Sequence, residues 1–223
     1  MIPQPTHAVQ DYLKAIHSLG GAKQRVSTNE LAERLGVRAA SVTGMIKRLS
    51  EAGWVGYVPS RGVKLTQQGI GEARRVIRRH RLMELFLTRV LGLDLSEVDA
   101  EAEALEHAIS PRLEQAISAF LGEPMEDPHG HPIPTKEGKL VQRNLRPLNS
   151  FVKGDSVIIR EVQDGDPVRL KRWSELGLLP GVAVKITDRQ DLDGVFTLTV
   201  GKRDLVLGIE GISGLLGEKG KGN

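Results

Sequence analysis

The chain has 223 residues, of which 39% are hydrophobic and 26% are charged, and its formal net charge is +3. A chain of this size is expected to bury a sizeable core in two or three domains, and it has no apolar run near the ~18 residues that a membrane-spanning helix needs. The absence of cysteine excludes disulfides and thiolate metal ligands, so any metal must be held by oxygen and imidazole.

The charge is unevenly distributed along the chain. Residues 1–75 carry eleven Lys and Arg against five Asp and Glu, and residues 76–150 carry nine against twelve. Residues 151–223 carry eleven of each. A basic N-terminal part is what binding to phosphate groups would require. The start of the chain lacks the basic and apolar regions of a signal peptide, so we expect a cytoplasmic protein.

The N-terminal third predicts a winged helix-turn-helix. Residues 7–19 carry an amphipathic helical stripe, and Ser27 with Glu30 has the spacing of a capping box that begins a second helix. Gly36 ends that helix, and a third helical pattern follows. Two short strands then surround a turn at residues 59–62, which predicts the wing.

The third helix of this unit is expected to read DNA. In a helix-turn-helix the second helix of the motif enters the major groove with its N-terminal end first. Hydroxyl, small and basic side chains on and around that helix, and on the wing, could contact phosphates or base edges. An ordinary solvated polar surface is the alternative interpretation of the same residues. The residues predicted to contact DNA are Arg25, Ser27, Thr28, Arg38, Ala39, Ala40, Ser41, Thr43, Gly44, Lys47, Arg48, Arg61 and Lys64.

The middle of the chain predicts three helices and a loop. One long helix covers residues 66–91 with Thr66 as its N-cap, and a second covers about 96–108. A third runs from Pro111, which suits the first helical position, to about Leu121. The Pro-, Gly- and His-rich stretch that follows predicts an ordered loop and then a linker. From Phe151 the hydrophobic period changes to two, which predicts a small β-barrel.

Two of these helices carry possible metal ligands. His80 and Glu84 stand at i and i+4, whereas Glu103, Glu106 and His107 stand at i, i+3 and i+4. Side chains at those spacings share one helix face. Two packed helices could therefore bring three carboxylates and two imidazoles together, which is a ligand set for manganese, iron(II) or zinc.

Two more carboxylates are candidate ligands. Asp11 lies on the first predicted helix, and if it binds the same ion the metal would involve the DNA-reading domain. Asp99 could complete a second, peripheral site with Glu84 and His80. The alternative is that the acidic helix face simply pairs with the basic one through salt bridges, which would leave a metal-independent winged-helix regulator.

Nothing in the sequence favours an enzyme. Phosphate-binding glycine loops, nucleophile elbows and the H-E-x-x-H motif are absent. A metal-dependent hydrolase or oxygenase using His80, Glu106 and His107 is the alternative from another class, but no dedicated general acid accompanies them. His129 and His131 are interpreted as loop residues rather than as ligands.

Several stretches together resemble the diphtheria-toxin-repressor family of bacterial metal-dependent regulators, including its manganese-responsive branch. The N-terminal motifs are L-A-E-R-L-G-V, S-V-T-G-M-I-K-R-L and G-Y-V-P-S-R-G-V-K-L-T. The central motifs are R-R-H-R-L-M-E-L-F-L, E-A-L-E-H-A-I-S and H-G-H-P-I-P. The C-terminal W-S-E-L-G-L-L-P-G resembles the SH3-like domain of longer members.

The resemblance implies a homodimer that binds palindromic double-stranded operator DNA when a divalent metal is present. It implies Mn²⁺, with Fe²⁺ as the alternative, because the iron-responsive branch usually has methionine at the position of Asp11 and cysteine at that of Glu103. Hard oxygen ligands in their place favour manganese. Lys14 departs from the manganese branch, which often has a ligating glutamate there.

The resemblance also assigns the candidate ligands to two sites. Asp11, Glu103, Glu106 and His107 fall on the primary site. His80 falls on a ligand position in both branches, and Glu84 on its partner in an ancillary site. Asp99 stands where the iron branch has histidine. Asp166 falls roughly where residues of the SH3-like domain contribute to the ancillary site.

We therefore predict a multidomain, mainly α fold. Residues 1–73 form the winged helix-turn-helix and residues 74–138 the helical dimerisation and metal-binding domain. Residues 139–150 form a linker, and residues 151–223 form the SH3-like small β-barrel. The chain as a whole is predicted to be a metal-dependent transcriptional repressor and not an enzyme.

Overall fold

The computed structural model describes residues 5–163 and 165–220. The described chain divides into two compact units. The first unit contains the chain up to residue 79 together with residues 134–140, and the second contains residues 80–133 together with the chain from residue 141. This division passes through one long helix, so it differs from the domain boundaries that the sequence suggests, and those boundaries remain a prediction.

The first unit contains three helices and a two-stranded hairpin, followed by the first half of the long helix. These elements are α1 (His7–Ser18), α2 (Thr28–Leu35), α3 (Ala39–Glu51), β1 (Val55–Val58), β2 (Gly62–Leu65) and α4 (Gln67–Leu91). Helices, hairpin and turn follow in the order predicted for a winged helix-turn-helix.

Local side-chain bonds set the helix boundaries of this unit. The Ser27 hydroxyl accepts from the Glu30 amide at 3.1 Å, and the Glu30 carboxylate accepts from the Ser27 amide at 2.8 Å, so the predicted capping box is present. Gly36 ends α2 in the left-handed region. The Thr66 hydroxyl accepts from the Gly69 amide at 3.1 Å and so begins α4 as predicted.

One apolar core holds the first unit together. Its buried members come from all three helices and from the hairpin, and they include Leu13, Ile16, Leu31, Val42, Ile46, Leu49, Trp54 and Val63. A buried hydrogen bond from the Gln10 amide to the Glu72 carboxylate, 2.8 Å long, also joins α1 to the first part of α4. The polar N-terminal end of α3 does not belong to this core and lies on the surface.

Strand β2 of the wing pairs with the extended segment that precedes α2. Val26 and Val63 exchange two backbone hydrogen bonds of 2.8 and 2.9 Å. Gly62, beside this bridge, has a φ of +88°, and a Cβ atom there would lie 2.2 Å from the Val26 carbonyl oxygen. Both the backbone angle and the close approach therefore require glycine.

The second unit begins with the C-terminal half of α4 and two shorter helices, α5 (Val98–Leu105) and α6 (Pro111–Phe120). Buried apolar side chains join these helices to the loop that follows them. They include Leu82, Leu85, Leu87, Val98, Ala102, Ile109, Ile117 and Ile133.

Helix α5 is shorter than the predicted 96–108. Ser96 belongs to a turn in which its amide donates to the Asp94 carboxylate at 2.9 Å. At the other end Glu106 is the C-cap, and the Ala108 amide bonds to the Leu105 carbonyl in a tighter turn. The helix α6 begins as predicted, because the Ser110 hydroxyl accepts from the Leu113 amide at 3.2 Å.

The rest of the second unit is a six-stranded antiparallel sheet in the order β3-β8-β4-β5-β6-β7. Its strands are β3 (Arg146–Pro147), β4 (Ser156–Val162), β5 (Ala183–Gln190), β6 (Val195–Val200), β7 (Arg203–Gly208) and β8 (Leu215–Lys219). Its helices are a 3₁₀ turn (Leu148–Ser150), α7 (Pro167–Leu176) and α8 (Ile209–Ile212). One core that contains Phe151, Trp173 and Phe196 unites these elements.

The predicted strands after Phe151 are confirmed, but the sequence did not indicate α7. Helices account for 43% of the structure and strands for 21%, so the prediction of a mainly α fold holds only in part. None of the helices in the described ranges has the length and apolar character needed to cross a membrane.

Alanine substitutions at Gly62, in the wing, and at Gly71, in α4, test the role of glycine in the wing geometry. We expect Gly62→Ala to lower the free energy of unfolding by about 1–3 kcal/mol, because the alanine would be strained at its φ and would collide with the Val26 carbonyl. Gly71→Ala, in α4 with no atom within 4 Å of the added Cβ, should raise it by about 0.4–1 kcal/mol. Chemical denaturation measures both, and shifts of the same sign would contradict this account of the wing.

Candidate metal centre

Four of the predicted ligands surround a fifth, His80, in the second unit. His80 and Glu84 lie one turn apart on α4, and Asp99 and Glu103 lie on α5. Glu106 lies at the C-cap of α5. One buried apolar cluster, which includes Leu82 and Leu85 of α4 and Val98 and Ala102 of α5, holds these two helices together. The two helices therefore come together as predicted, but their carboxylates divide between the two sides of the His80 ring instead of meeting at one point.

The two nitrogens of His80 face different carboxylates. Its Nδ1 lies 2.6 Å from Glu106 Oε2 and 3.8 Å from Glu103 Oε2. Its Nε2 lies 3.3 Å from Asp99 Oδ1 and 3.4 Å from Glu84 Oε1. A neutral imidazole has one lone pair for a metal, so His80 can ligate through either side but not through both at once.

Two sets of ligand atoms follow from this arrangement. We name them the inner group (His80, Glu103 and Glu106) and the outer group (His80, Glu84 and Asp99). In each group the candidate ligand atoms lie within 4.8 Å of one another. His107 is next to the inner group, since its Nε2 lies 3.5 Å from Glu106 Oε1.

Burial makes this cluster costly without a compensating cation. Glu106 is 0% exposed, Glu84 is 1% exposed and His80 is 6% exposed. Ionised carboxylates buried to this extent need a paired positive charge or a metal ion. The donors are oxygen and imidazole nitrogen, with no sulfur. This chemistry fits a divalent ion such as Mn²⁺ or Fe²⁺.

The surrounding carboxylates reverse the effect of burial on His80. Burial alone would lower the pKa of His80, but its hydrogen bonds to Asp99, Glu106 and Glu84 raise that pKa to about 11. Burial would likewise raise the pKa of Glu84, but hydrogen bonds from His129 and His80 lower it. At neutral pH the metal-free cluster is therefore a buried imidazolium among carboxylates.

A third set of ligand atoms lies in the loop after α6. Asp127, His129 and His131 have candidate ligand atoms within 4.8 Å of one another, and we name them the loop group. His129 is 0% exposed, and its Nδ1 lies 3.3 Å from Glu84 Oε1. Asp127 Oδ2 lies 3.3 Å from His131 Nδ1.

The sequence pattern did not predict this grouping. His129 and His131 are loop residues as predicted, but the loop buries His129 and brings it to Glu84, 45 residues earlier in the chain. Donor side chains at every second position, Asp127, His129 and His131, were the available signal. Every second residue shares one face of a strand, but Pro128 and Gly130 between these residues predict a loop, in which that spacing alone does not bring side chains together.

Two further predicted ligands, Asp166 and Asp11, lie outside the three groups defined above. The Asp166 carboxylate accepts from the amides of Val168 and Arg169 and caps α7, and Asp166 belongs to none of the ligand groups found among the described residues. Asp11 lies on α1 in the first unit, and its role as a ligand remains a prediction.

The predicted DNA contacts lie mostly at the surface of the first unit. Arg38 occupies the N-cap position of α3 without a capping bond from its side chain. Most of the other predicted contacts on that helix are exposed, namely Ala39, Ala40, Ser41, Gly44, Lys47 and Arg48. Arg61 is also exposed in the wing turn, whereas Lys64 is half-buried.

Arg25 and Ser27, from that prediction, have bonds within the fold that define the wing and the start of α2. The Arg25 guanidinium donates to the carbonyls of Gly56 and Gly62 at 3.0 and 3.1 Å. Ser27 caps α2, which Thr28 begins. Their contribution to DNA binding remains a prediction.

Three family models match successive parts of the chain. The N-terminal DNA binding domain of the iron dependent repressors matches residues 6–63, and their metal binding and dimerisation domain matches residues 66–135. The FeoA domain matches residues 146–213. The chain belongs to the diphtheria-toxin-repressor family of metal-dependent transcriptional repressors. The resemblance seen in the sequence is thereby confirmed, and so is the prediction that the chain is a regulator rather than an enzyme.

Relatives within the family are named as an iron-dependent repressor and as an HTH-type transcriptional regulator. The iron-dependent repressor IdeR of Mycobacterium leprae is 32% identical over 191 residues, which cover 78% of this chain and 81% of the relative. The regulator MntR of Lysinibacillus sphaericus is 34% identical over 106 residues, which cover 48% of this chain and 76% of the relative.

A solved structure of a manganese-dependent transcriptional repressor in complex with manganese is similar over nearly the whole chain. Its TM-score is 0.87 at 35% sequence identity, with 95% of this chain and 99% of that one covered.

The protonation of His80 predicts how metal binding depends on pH. A metal ligand must be neutral imidazole, so binding has to displace the proton that the raised pKa of about 11 keeps on His80 at pH 7. We expect manganese binding to release about one proton and its affinity to rise about tenfold per pH unit from about pH 6.5 to 8.5.

Calorimetric titration in buffers of different ionisation enthalpy measures that proton. His7→Asn, at an exposed position of α1, is the control and should change neither quantity. An affinity that does not vary with pH would contradict the assignment of His80 as a ligand.

Proposed function

We propose that the chain is a manganese-responsive repressor that binds palindromic operator DNA as a homodimer, with Fe²⁺ as the alternative metal. The observation that carries the proposal is the convergence of Glu103 and Glu106 on one nitrogen of a buried histidine, His80, in a chain of this family. Such a site holds a divalent cation with oxygen and nitrogen ligands.

The inner group is proposed as the primary site. His80, Glu103 and Glu106 supply it, His107 lies beside it, and Asp11 from the DNA-binding domain is a further predicted ligand. Hard oxygen donors at positions 11 and 103 favour manganese over softer ions. When bound, the metal supplies two positive charges where the free protein has one proton on His80.

A second site is proposed at Glu84. Either the outer group or the loop group can complete it, because Glu84 lies within 3.4 Å of nitrogens of both His80 and His129. When the inner group holds His80, the loop histidine His129 remains the imidazole available to Glu84. We therefore propose Glu84, Asp127, His129 and His131 as the second site, with Asp99 as a peripheral carboxylate.

Metal controls DNA binding, in this proposal, by preferring one conformation of the repressor. A ligand shifts an equilibrium only by the difference between its affinities for the two states. A tenfold change in DNA affinity needs about 1.4 kcal/mol of coupling, which a few ionic contacts can supply. The exposed N-terminal end of α3, from Arg38 to Ser41, then enters the major groove.

A conservative change in the inner group tests the metal dependence. Glu106→Gln keeps the shape of a fully buried side chain but removes the charge that faces His80. We expect it to reduce the Mn²⁺ stimulation of DNA binding at least about tenfold. Fluorescence anisotropy with and without Mn²⁺ measures this, on a duplex selected from a random pool by the manganese-loaded protein.

Glu101→Gln, at an exposed position of the same helix, is the matched control and should bind like the wild type. Full metal stimulation in Glu106→Gln would remove Glu106 from the site. If wild-type protein treated with a chelator bound the duplex at full affinity, the chain would instead be a metal-independent winged-helix regulator.

An exposed apolar stripe on α6 is proposed as part of the homodimer contact. Leu113, Ala116 and Phe120 share one helix face and are all exposed, and Phe120 is 70% exposed. Nearby in sequence, Met125 is also exposed at 58%. Exposed apolar groups of this kind mark protein–protein contacts.

We expect Phe120→Glu to convert the dimer to a monomer in sedimentation velocity and to lower DNA affinity at least about tenfold, because the charge would have to be desolvated in the interface. Leu192→Glu, at a fully exposed position between β5 and β6, is the matched control. An unchanged sedimentation coefficient for Phe120→Glu would exclude this stripe from the dimer contact.

A further inference from the structure

The loop that carries Asp127, His129 and His131 is closed by its own hydrogen bonds. We name residues 125–133 the histidine loop. The Ile133 amide donates to the Met125 carbonyl at 2.8 Å, and the Asp127 amide donates to the His131 carbonyl at 3.0 Å. Asp127 Oδ1 accepts from the amides of His129 and His131, each at 2.9 Å. One oxygen of Asp127 therefore shapes the loop, and the other, Oδ2, is the oxygen that faces His131.

The histidine loop packs directly against strand β4. The Val162 amide donates to the His129 carbonyl at 3.0 Å. Gly130 has a φ of +87°, and a Cβ atom there would lie 1.9 Å from the Arg160 carbonyl oxygen. The backbone of the loop tip is therefore in contact with the backbone of the strand, and the position of the loop depends on this contact.

Arg143, from the segment predicted as a linker, binds both sides of the histidine loop. Its Nη1 donates to the Gly130 carbonyl at 2.9 Å, and its Nη2 donates to the Glu126 carboxylate. The same Nη1 lies 3.9 Å from Glu161 Oε1 on β4. The side chain of Arg143 is 21% exposed, so most of it is enclosed by these partners.

The neighbouring Arg81 has a different relation to the site. Its Nε lies 3.4 Å from Asp127 Oδ2, so it contacts a proposed ligand itself. The hydrogen bonds and ion pairs found for Arg143 are instead with Gly130, Glu126 and Glu161, none of which is in a ligand group. The effect of Arg143 on a metal would therefore be indirect.

We infer that Arg143 is a positioning residue for the second metal site, holding the histidine loop so that Asp127, His129 and His131 face Glu84. This inference rests on the proposed metal-binding function. A planar guanidinium can donate at once to a carbonyl on one side of the loop and to a carboxylate on the other, and an ammonium group cannot reproduce that geometry. Partners that orient metal ligands typically change metal affinity by about 10–100-fold when they are removed.

The two proposed sites should therefore respond differently to a change at Arg143. The inner group lies on α4 and at α5, and no hydrogen bond or ion pair found among the described residues joins Arg143 to it. A loss of Arg143 should weaken one class of bound Mn²⁺ and leave the other unchanged. General destabilisation of the protein would weaken both.

The experiment is a titration of the full chain with Mn²⁺, followed by electron paramagnetic resonance of the free ion. We expect two classes of bound Mn²⁺ in the wild type. Arg143→Ala should weaken one class about 10–100-fold and leave the other within about twofold. Arg143→Lys should not restore the weakened class, because it lacks the planar pair of donors. Combination with Glu106→Gln, which removes the inner class, identifies the affected class as the second site.

Arg146→Ala is the matched control. Arg146 comes from the same segment, but it donates to the Ser150 carbonyl and lies over the Phe151 ring. It should titrate like the wild type. If Arg143→Ala does not fold, Glu126→Gln removes the charge of one Arg143 partner and should weaken the same class alone.

The outcomes separate the two proposals. A wild type that binds no Mn²⁺ would overturn the proposed function itself. A wild type with a single class would overturn the proposed second site and, with it, the role of Arg143. Equal titrations of wild type and Arg143→Ala, equal weakening of both classes, or full rescue by lysine would each overturn only the role of Arg143.

Discussion

A buried imidazole surrounded by carboxylates is the interaction on which the rest of this structure depends. His80 has Glu103 and Glu106 beside one nitrogen and Glu84 and Asp99 beside the other. Negative charges at this density stay buried only with a compensating cation. In the absence of metal a proton on His80 supplies one charge, as its raised pKa indicates. A divalent metal ion supplies two positive charges, so the charge balance of the cluster depends on whether a metal is bound.

The rest of the second unit fixes the geometry of that cluster. Apolar contacts hold α5 on α4, and the histidine loop adds a second pair of imidazoles through contacts with β4 and Arg143. Glu84 lies next to both His80 and His129, so the two proposed sites share a boundary residue. When His80 ligates in the inner group, Glu84 is left to the histidine loop, so each proposed site has its own set of ligands.

The DNA-binding unit depends on local chemistry. The capping box of Ser27 and Glu30 and the bonds from Arg25 to the hairpin set the helix and the wing. These polar residues resemble candidate DNA contacts in the sequence, although the structure shows that they have roles in the fold. The exposed N-terminal end of α3 has fewer such partners, and this difference supports it as the surface that reads DNA.

The sequence by itself determined the winged helix-turn-helix, the long α4 and the pairing of His80 with the acidic face of the next helix. These features depend on helical period, caps and glycine stops, which act over a few residues. Only the tertiary structure decided that Asp166 caps a helix, that α5 ends at Leu105, and that His129 is buried beside Glu84. The Asp166 cap and the end of α5 involve hydrogen bonds over two or three residues, which the helical period alone does not specify. The position of His129 depends on packing between segments far apart in the chain, which no short-range pattern encodes.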